Sequence, residues 1–304
     1  MDSAIMIFYQ IVRMFFMMAV GWVLARRRTL DEQTTARLSD ILLMVATPCT
    51  LITSFHQPFS SEKLSGLIIS FGLSVAAYLI AIVSARLLFR SHKRIEHFSV
   101  VFSNAGFLGI PLVSGVFGAQ AVFYLAPFIA CFYLFAWTYG VVVISGDRRQ
   151  IRLKKILTNP CILSLFLCIL VFLIPVKPWA PLMEAISSLG SLNTPLAMLV
   201  LGAYMAKGRL LDMFRDRRVY YVSFCRLIVV PLLIVLLFAL VPDRFNEIRS
   251  IILIGAAAPV GVLAPIFAQM FGLDSRYGAQ IVSVSTIFSL FTMPLILLLS
   301  QWLW

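Results

Sequence analysis

Ten apolar segments, separated by short charged or polar stretches, fill most of the sequence. They cover residues 5–25, 40–56, 65–89, 98–117, 120–144, 159–176, 181–206, 219–241, 249–271 and 277–302. Only 12% of the residues are charged and 61% are hydrophobic, whereas a soluble chain has about 25% charged residues. Most segments are long enough to cross a bilayer, and a helix satisfies its own backbone hydrogen bonds in lipid. The sequence therefore predicts an all-α integral membrane protein with ten transmembrane helices.

The lysine and arginine residues are concentrated in alternate loops. The loops that follow the odd-numbered segments, counted together with the adjoining segment ends, hold 19 of the 25, the other loops and their adjoining ends hold four, and the interiors of the segments hold two. Because cytoplasmic loops carry the excess of basic residues, this pattern places both termini outside the membrane. The net charge of +12 is then explained by topology, and we expect no nucleic-acid partner.

The two halves of the chain contain matching features in the same order. Three pairs of segments match: Thr47-Pro48 with Thr194-Pro195, the interrupted segments 4 and 9, in which Pro111 aligns with Pro265, and Gly118-Ala-Gln-Ala-Val122 with Gly278-Ala-Gln-Ile-Val282. Each half has five segments, so the second half enters the membrane from the opposite side. The sequence predicts a 5+5 inverted repeat, with residues 1–144 and 159–304 joined by a cytoplasmic linker at 145–158.

Segments 4 and 9 each contain helix-breaking residues. In segment 4 these are Gly106, Gly109, Pro111 and Gly115, and in segment 9 they are Pro259, Gly261 and Pro265. A broken helix is tolerated at membrane depth only where protein or water satisfies its backbone. If both segments open near the midplane and cross, their half-helix amino ends offer free N–H groups to an anion. A simple proline kink is the alternative, but two breaks at matching positions favour a substrate site.

Polar residues near these breaks are the candidate ligands. Asn104, beside Ser103, precedes the break in segment 4; its amide can bind a substrate carboxylate or hold the crossing together. Arg226 lies about two turns into segment 8, where it can pair with an anion or bind broken-helix carbonyl groups. Both alternatives stay open for each residue. The predicted substrate-binding residues are Ser103, Asn104, Gly106, Pro111, Arg226, Pro259, Gly261 and Pro265.

A second pair of polar, proline-containing sites occurs in segments 2 and 7. We interpret these residues as supporting helix packing or a hinge: Thr47, Pro48, Asn193, Thr194 and Pro195.

The sequence lacks the usual elements of catalytic and metal sites. The five cysteines have no metal-ligand spacing, the three histidines lie in loops or at segment ends, and no carboxylate lies at mid-segment. We therefore expect no cofactor, no bound metal and no enzymatic activity.

The chain resembles a bacterial, PIN-like member of the auxin efflux carrier family, within the bile acid/arsenite/riboflavin transporter superfamily, over its whole length, and this resemblance implies a location in the bacterial inner (plasma) membrane. The motifs that carry the resemblance are Asn104-Ala-Gly-Phe-Leu-Gly-Ile-Pro111-Leu, Asn193-Thr-Pro-Leu-Ala-Met-Leu-Val-Leu-Gly202, Arg226 followed by Pro231, and the Pro259/Pro265 segment. The resemblance implies that segments 4 and 9 cross at prolines and that Asn104 contacts the substrate carboxylate. It also implies a scaffold of segments 1, 2, 6 and 7, an elevator-like transport domain of segments 3–5 and 8–10, and a possible homodimer.

Two departures from the family are visible. The long central loop of many plant members is reduced to the short linker, and Ala258 stands where the second crossover would carry an asparagine. The resulting hypothesis is a secondary carrier for a small organic anion, such as a dicarboxylate or an auxin-like acid. The alternative is a sodium-coupled carrier similar to the bile acid symporters.

Overall fold

The computed structural model of the chain describes residues 2–89, 92–151, 160–174, 179–206 and 216–304. Within these ranges the main helices are α1 (Asp2–Arg26), α2 (Glu32–Phe55), α3 (Ser61–Leu88), α4 (Arg94–Val101), α5 (Ala105–Phe117), α6 (Ala119–Ser145), α7 (Pro160–Leu173), α8 (Ala180–Ala206), α9 (Arg217–Phe238), α10 (Asn246–Ala257), α11 (Leu263–Met270) and α12 (Ser275–Leu303). The predicted linker residues 152–158, the ends of segment 6 and the basic residues at 90, 177 and 207–215 lie outside the described residues.

Seven of these helices are long and apolar enough to cross a membrane, namely α1, α2, α3, α6, α8, α9 and α12. Predicted segments 4 and 9 are each divided into two shorter helices, α4 with α5 and α10 with α11. Helix α7 lies in segment 6. The described structure confirms an all-helical membrane protein, while the total of ten spans and the inverted repeat stay predictions.

The interrupted helices lie in the protein interior. All residues from Ile95 to Asn104 are buried, and α10 is buried from Ile251 to its end.

 Ile95–Asn104 thus forms one continuous buried stretch, packed among the apolar side chains of α3, α6 and α9. Burial of this kind is what a broken helix needs at membrane depth, because no water is available there to satisfy its backbone.

The two aligned prolines do not make the breaks, which corrects the expectation from the sequence. Pro111 lies inside α5, directly after a π-helical turn (Ala105–Gly109) that widens the backbone ahead of the proline ring. Pro265 lies in the first turn of α11. Backbone N–H groups in a first turn have no intrahelical acceptor, so the missing N–H of proline removes no hydrogen bond from the helix. The chain instead leaves the helical conformation at residues 102–104 and 258–262.

A similar π-helical turn accommodates the proline ring in α2. Residues Leu42–Ala46 form that turn just before Pro48, so α2 bends without being interrupted. In α8 a single non-helical residue, Leu192, separates two helical parts, and Pro195 lies in the first turn of the second part.

Glycines allow α1 and α8 to pack with their backbones in contact. A Cβ atom added to Gly202 would lie 1.9 Å from the carbonyl oxygen of Met18, and one added to Gly21 would lie 2.3 Å from that of Leu199. Close approach at small residues is a main source of helix association in lipid. These two glycines therefore hold α1 and α8 together as one unit.

Hydrogen bonds join α2 to α8 at the two proline sites. The Asn193 amide nitrogen donates to the Thr47 hydroxyl at 2.9 Å, and the Thr50 hydroxyl donates to the Gly190 carbonyl oxygen at 3.0 Å. Thr47 and Asn193 are therefore in contact between α2 and α8, while their role in helix packing or as a hinge stays a prediction.

Candidate functional site

The two breaks meet and pair as short antiparallel extended segments. The Asn104 backbone N–H donates to the Pro259 carbonyl oxygen at 2.7 Å, and the Gly261 N–H donates to the Phe102 carbonyl oxygen at 2.9 Å. Ser103 and Val260 face each other at the centre of the pair. The crossing thus satisfies backbone groups that lipid could not.

Glycine is needed at the crossing because the two backbones are so close. A Cβ atom at position 261 would lie 3.0 Å from the Ser103 carbonyl oxygen and 3.3 Å from that of Phe102. The α12 side chain of Ser285 completes the arrangement by accepting the Val260 N–H at 3.2 Å.

Arg226 binds the carbonyl groups at the ends of the two half-helices. Its Nη1 donates to Val100 at 3.0 Å, its Nε donates to Ala258 at 3.1 Å, and its Nη2 donates to Ala256. The last carbonyl groups of a helix lack intrahelical donors and carry partial negative charge, so a guanidinium is a suitable partner.

These contacts favour the second interpretation of Arg226, in which it binds broken-helix carbonyl groups. The side chain is only 1% exposed, and each of its three nitrogen atoms already donates to a carbonyl group. Arg226 is also not among the residues that line the cavity beside the crossing.

A cavity of about 100 Å³ lies beside the crossing, at the starts of α5 and α11. Its lining residues come from α2, α6 and α8 as well as from the two breaks: Ser39, Leu43, Ser103, Asn104, Ala105, Gly106, Phe107, Ile129, Phe132, Tyr133, Tyr204, Gly261, Val262, Leu263 and Ile266. None of these described lining residues carries a formal charge, so the polarity of the cavity comes from amide, hydroxyl and backbone groups.

Asn104 is the most distinctive polar group of this cavity. Its side chain is 3% exposed, and its amide nitrogen has no hydrogen-bond partner among the described residues. The backbone of Asn104 is fully used, because its carbonyl oxygen accepts the N–H groups of Leu108 and Gly109 at 3.0 and 3.3 Å. A buried polar group without a partner costs about 1–3 kcal/mol, a cost that a ligand would remove.

Two helix amino ends face the same cavity. Helix α5 begins at Ala105 directly after Asn104, and α11 begins at Leu263 directly after the second break. The first N–H groups of a helix lack intrahelical acceptors and carry partial positive charge. In α11 this leaves mainly the Leu263 N–H, because the Ala264 N–H donates to the Gly261 carbonyl oxygen at 3.0 Å and Pro265 has no N–H. Together with the Asn104 amide they form a set of donors suited to an anion.

The structure brings together only part of the predicted set. Ser103, Asn104, Gly106 and Gly261 line the cavity, and a Cβ atom at Gly106 would meet no atom within 4 Å. The other four residues are not among the lining residues: Pro111, Arg226, Pro259 and Pro265. Pro111 and Pro265 shape the helices, and Pro259 contributes its carbonyl oxygen to the crossing.

Three polar lining residues were missed from the sequence, namely Ser39, Tyr133 and Tyr204. Ser39 and Tyr204 lie close to the ends of their helices, where polar residues are ordinary at a membrane surface. Only the contact between α2, α8 and the crossing brings them to the cavity.

Comparison with known proteins gives two findings. A family model described as a membrane transport protein matches residues 6–297. An uncharacterized transporter of Methanocaldococcus jannaschii is 23% identical over 283 residues, which cover 88% of this chain and 90% of the relative.

Proposed function

Because the chain belongs to the membrane transport protein family, we propose that it is a secondary carrier for a small organic anion and that it works by elevator-type alternating access. The class of substrate proposed is a small carboxylic acid in its ionised form. The family membership and the apolar helices make it a multi-pass membrane protein.

The observation that carries this proposal is the set of donors at the crossing. The unpartnered Asn104 amide and the amino ends of α5 and α11 meet at one buried cavity. Donors fixed in a water-poor site bind an anion without a neighbouring cation, because oriented backbone dipoles supply the positive potential. Broken helices of this kind are typical of transporter binding sites.

The position of the cavity supports the elevator part of the proposal. Ser39, Leu43 and Tyr204 belong to α2 and α8, which would be part of the scaffold, and the other lining residues belong to the proposed transport domain. A substrate held by the crossing would therefore move with that domain and leave the scaffold residues behind. Close packing of α1 on α8 at Gly202 supports a rigid scaffold.

The cavity lies towards the basic side of the proposed topology. Ser39 is near the start of α2 and Tyr204 near the end of α8, and both of these helix ends adjoin loops that the charge pattern assigns to the cytoplasm. We therefore assign the described conformation to a state with cytoplasmic access.

The test of this function compares Asn104→Ala with Gln269→Ala in purified, reconstituted protein. Gln269 is an exposed amide on α11 that does not line the cavity, so the control removes the same chemical group from a nearby position. Uptake of radiolabelled organic acids should be lost in Asn104→Ala and kept in Gln269→Ala, while both variants elute as one species. Normal uptake by Asn104→Ala would contradict the assignment of the site.

The same uptake assay separates the sodium-coupled alternative. A sodium-coupled carrier should lose uptake when choline replaces sodium in the outer buffer. A carrier driven by the substrate gradient alone should keep the same rate in both buffers.

A further inference from the structure

We propose that the substrate is a short monocarboxylate with a neutral hydroxyl group at its other end. This inference rests on the proposed anion-carrier function and narrows the substrate class of the same cavity. Three properties of the cavity support it: its charge, its size and the hydroxyl groups that α2 and α8 contribute to its wall.

The charge of the cavity matches one carboxylate. Its positive potential comes from the amino ends of α5 and α11, each equivalent to roughly half an elementary charge, and none of the described lining residues is charged. Two half charges balance one anion. The second carboxylate of a dicarboxylate would be buried with no cation to compensate it, which is strongly unfavourable.

The size of the cavity favours a short molecule. At about 100 Å³ it is smaller than an apolar cavity of about 150 Å³ that accepts benzene. An acid of three or four carbon atoms matches this volume better than a ring that also carries a carboxylate. Phe107, Ile129 and Phe132 provide the apolar wall for a short alkyl part.

The wall of the cavity formed by α2 and α8 carries hydroxyl groups of the proposed scaffold. The Ser39 hydroxyl donates to the Thr35 carbonyl oxygen at 2.9 Å, and its oxygen lies 3.5 Å from the Tyr204 hydroxyl oxygen. A hydroxyl oxygen has two acceptor lone pairs, so this wall can accept a hydrogen bond from a neutral hydroxyl group but supplies no charge. A hydroxy acid therefore has a partner for its hydroxyl group as well as for its carboxylate.

The direct test compares 3-hydroxypropionate with malonate, which differ only in that the terminal CH2OH group is replaced by a carboxylate. Binding to wild-type protein is measured by isothermal titration at about pH 7.5, where both carboxylates of malonate are ionised. We expect 3-hydroxypropionate to bind at least tenfold more tightly than malonate, and also more tightly than indole-3-acetate. Equal or tighter binding of malonate or of indole-3-acetate would overturn this inference and leave the anion-carrier function standing.

A designed charge gives the second test. In Ser39→Lys an ammonium replaces the hydroxyl on the α2 wall of the cavity, so the ratio of malonate affinity to 3-hydroxypropionate affinity should rise at least tenfold. Ser65→Lys is the control, because Ser65 is exposed on α3 and distant from the cavity lining. An unchanged ratio in a folded Ser39→Lys protein would overturn the charge argument.

A failure of the anion-carrier function can be distinguished from a failure of the narrower substrate class. If no acid of any kind binds or is transported, the anion-carrier function itself fails. If dicarboxylates bind best, only the narrower substrate class fails. The wild-type comparison does not depend on whether the Ser39→Lys variant folds.

Discussion

Replacing Arg226 by glutamine should destabilise the fold rather than weaken substrate binding alone. The guanidinium ties three carbonyl groups that come from two different half-helices, those of Val100, Ala256 and Ala258. Glutamine is shorter and uncharged, so at best it donates to one or two of these groups. The ends of α4 and α10 would then carry buried carbonyl groups without donors.

The expected size of the effect follows from these three hydrogen bonds. A hydrogen bond to a charged group contributes about 1.5–3 kcal/mol, so the three bonds together contribute roughly 5–9 kcal/mol. Removing the buried charge offsets part of this loss of stability, because the free-energy cost of desolvating the charge disappears with it. We expect a net loss of about 3–5 kcal/mol, which is a large part of the 5–15 kcal/mol that stabilises a typical fold.

The chain offers a direct assay of this loss. All five cysteines are buried and none of them forms a disulfide in the described structure, so a thiol-reactive dye reports unfolding in detergent as the temperature rises. The Tm of Arg226→Gln should fall by on the order of ten degrees, and Arg226→Lys should show a smaller fall because the charge is kept. Arg13→Gln is the matched control, since Arg13 is an exposed arginine within α1 and exposed positions change stability by about 0.5 kcal/mol or less.

One result would refute this reasoning. If Arg226→Gln unfolds within about two degrees of the wild type while its Kd for substrate rises more than tenfold, Arg226 acts on the substrate and not on the crossing. A tenfold change in Kd corresponds to about 1.4 kcal/mol.

Two further predictions concern the proposed scaffold. Gly202→Ala should lower the Tm clearly, because the added Cβ atom would lie 1.9 Å from the Met18 carbonyl oxygen, whereas Gly72→Ala should leave it unchanged or slightly raised, since no atom lies within 4 Å of its added Cβ. Equal Tm values for the two variants would exclude close packing of α1 on α8. A double-mutant cycle with Asn193→Ala and Thr47→Val, read by thermal unfolding, should give a coupling of about 0.6–1.7 kcal/mol. Additive effects would mean that the hydrogen bond between the two side chains contributes nothing.

Part of the site was predictable from local features of the chain. Asn104, Gly106 and Gly261 were found because glycine and a polar amide are unusual inside long apolar segments. The aligned prolines pointed to the correct segments but to the wrong residues. Pro111 is accommodated by a π-helical turn, and the chain opens several residues earlier, where it pairs with the second break.

Other features could not be predicted because they depend on distant partners. The donors and acceptors of the crossing are about 155 residues apart in sequence, and Arg226 meets Val100 from 126 residues away. The sequence left both interpretations of Arg226 open for this reason. Ser39 and Tyr204, which are 165 residues apart, join the cavity only when α2 and α8 pack together.

The sequence by itself determined that the chain folds into helices and that these helices lie in a membrane. Apolar segments of membrane length can only be helices, since a helix satisfies its backbone from within, and that argument needs no knowledge of neighbours. The tertiary structure alone decided which backbone groups are left for a ligand. At a break, some backbone groups have no hydrogen-bond partner within their own helix. The carbonyl groups at the helix ends accept hydrogen bonds from Arg226, and the central residues of the two breaks pair with each other. The helix amino ends and Asn104 face the cavity.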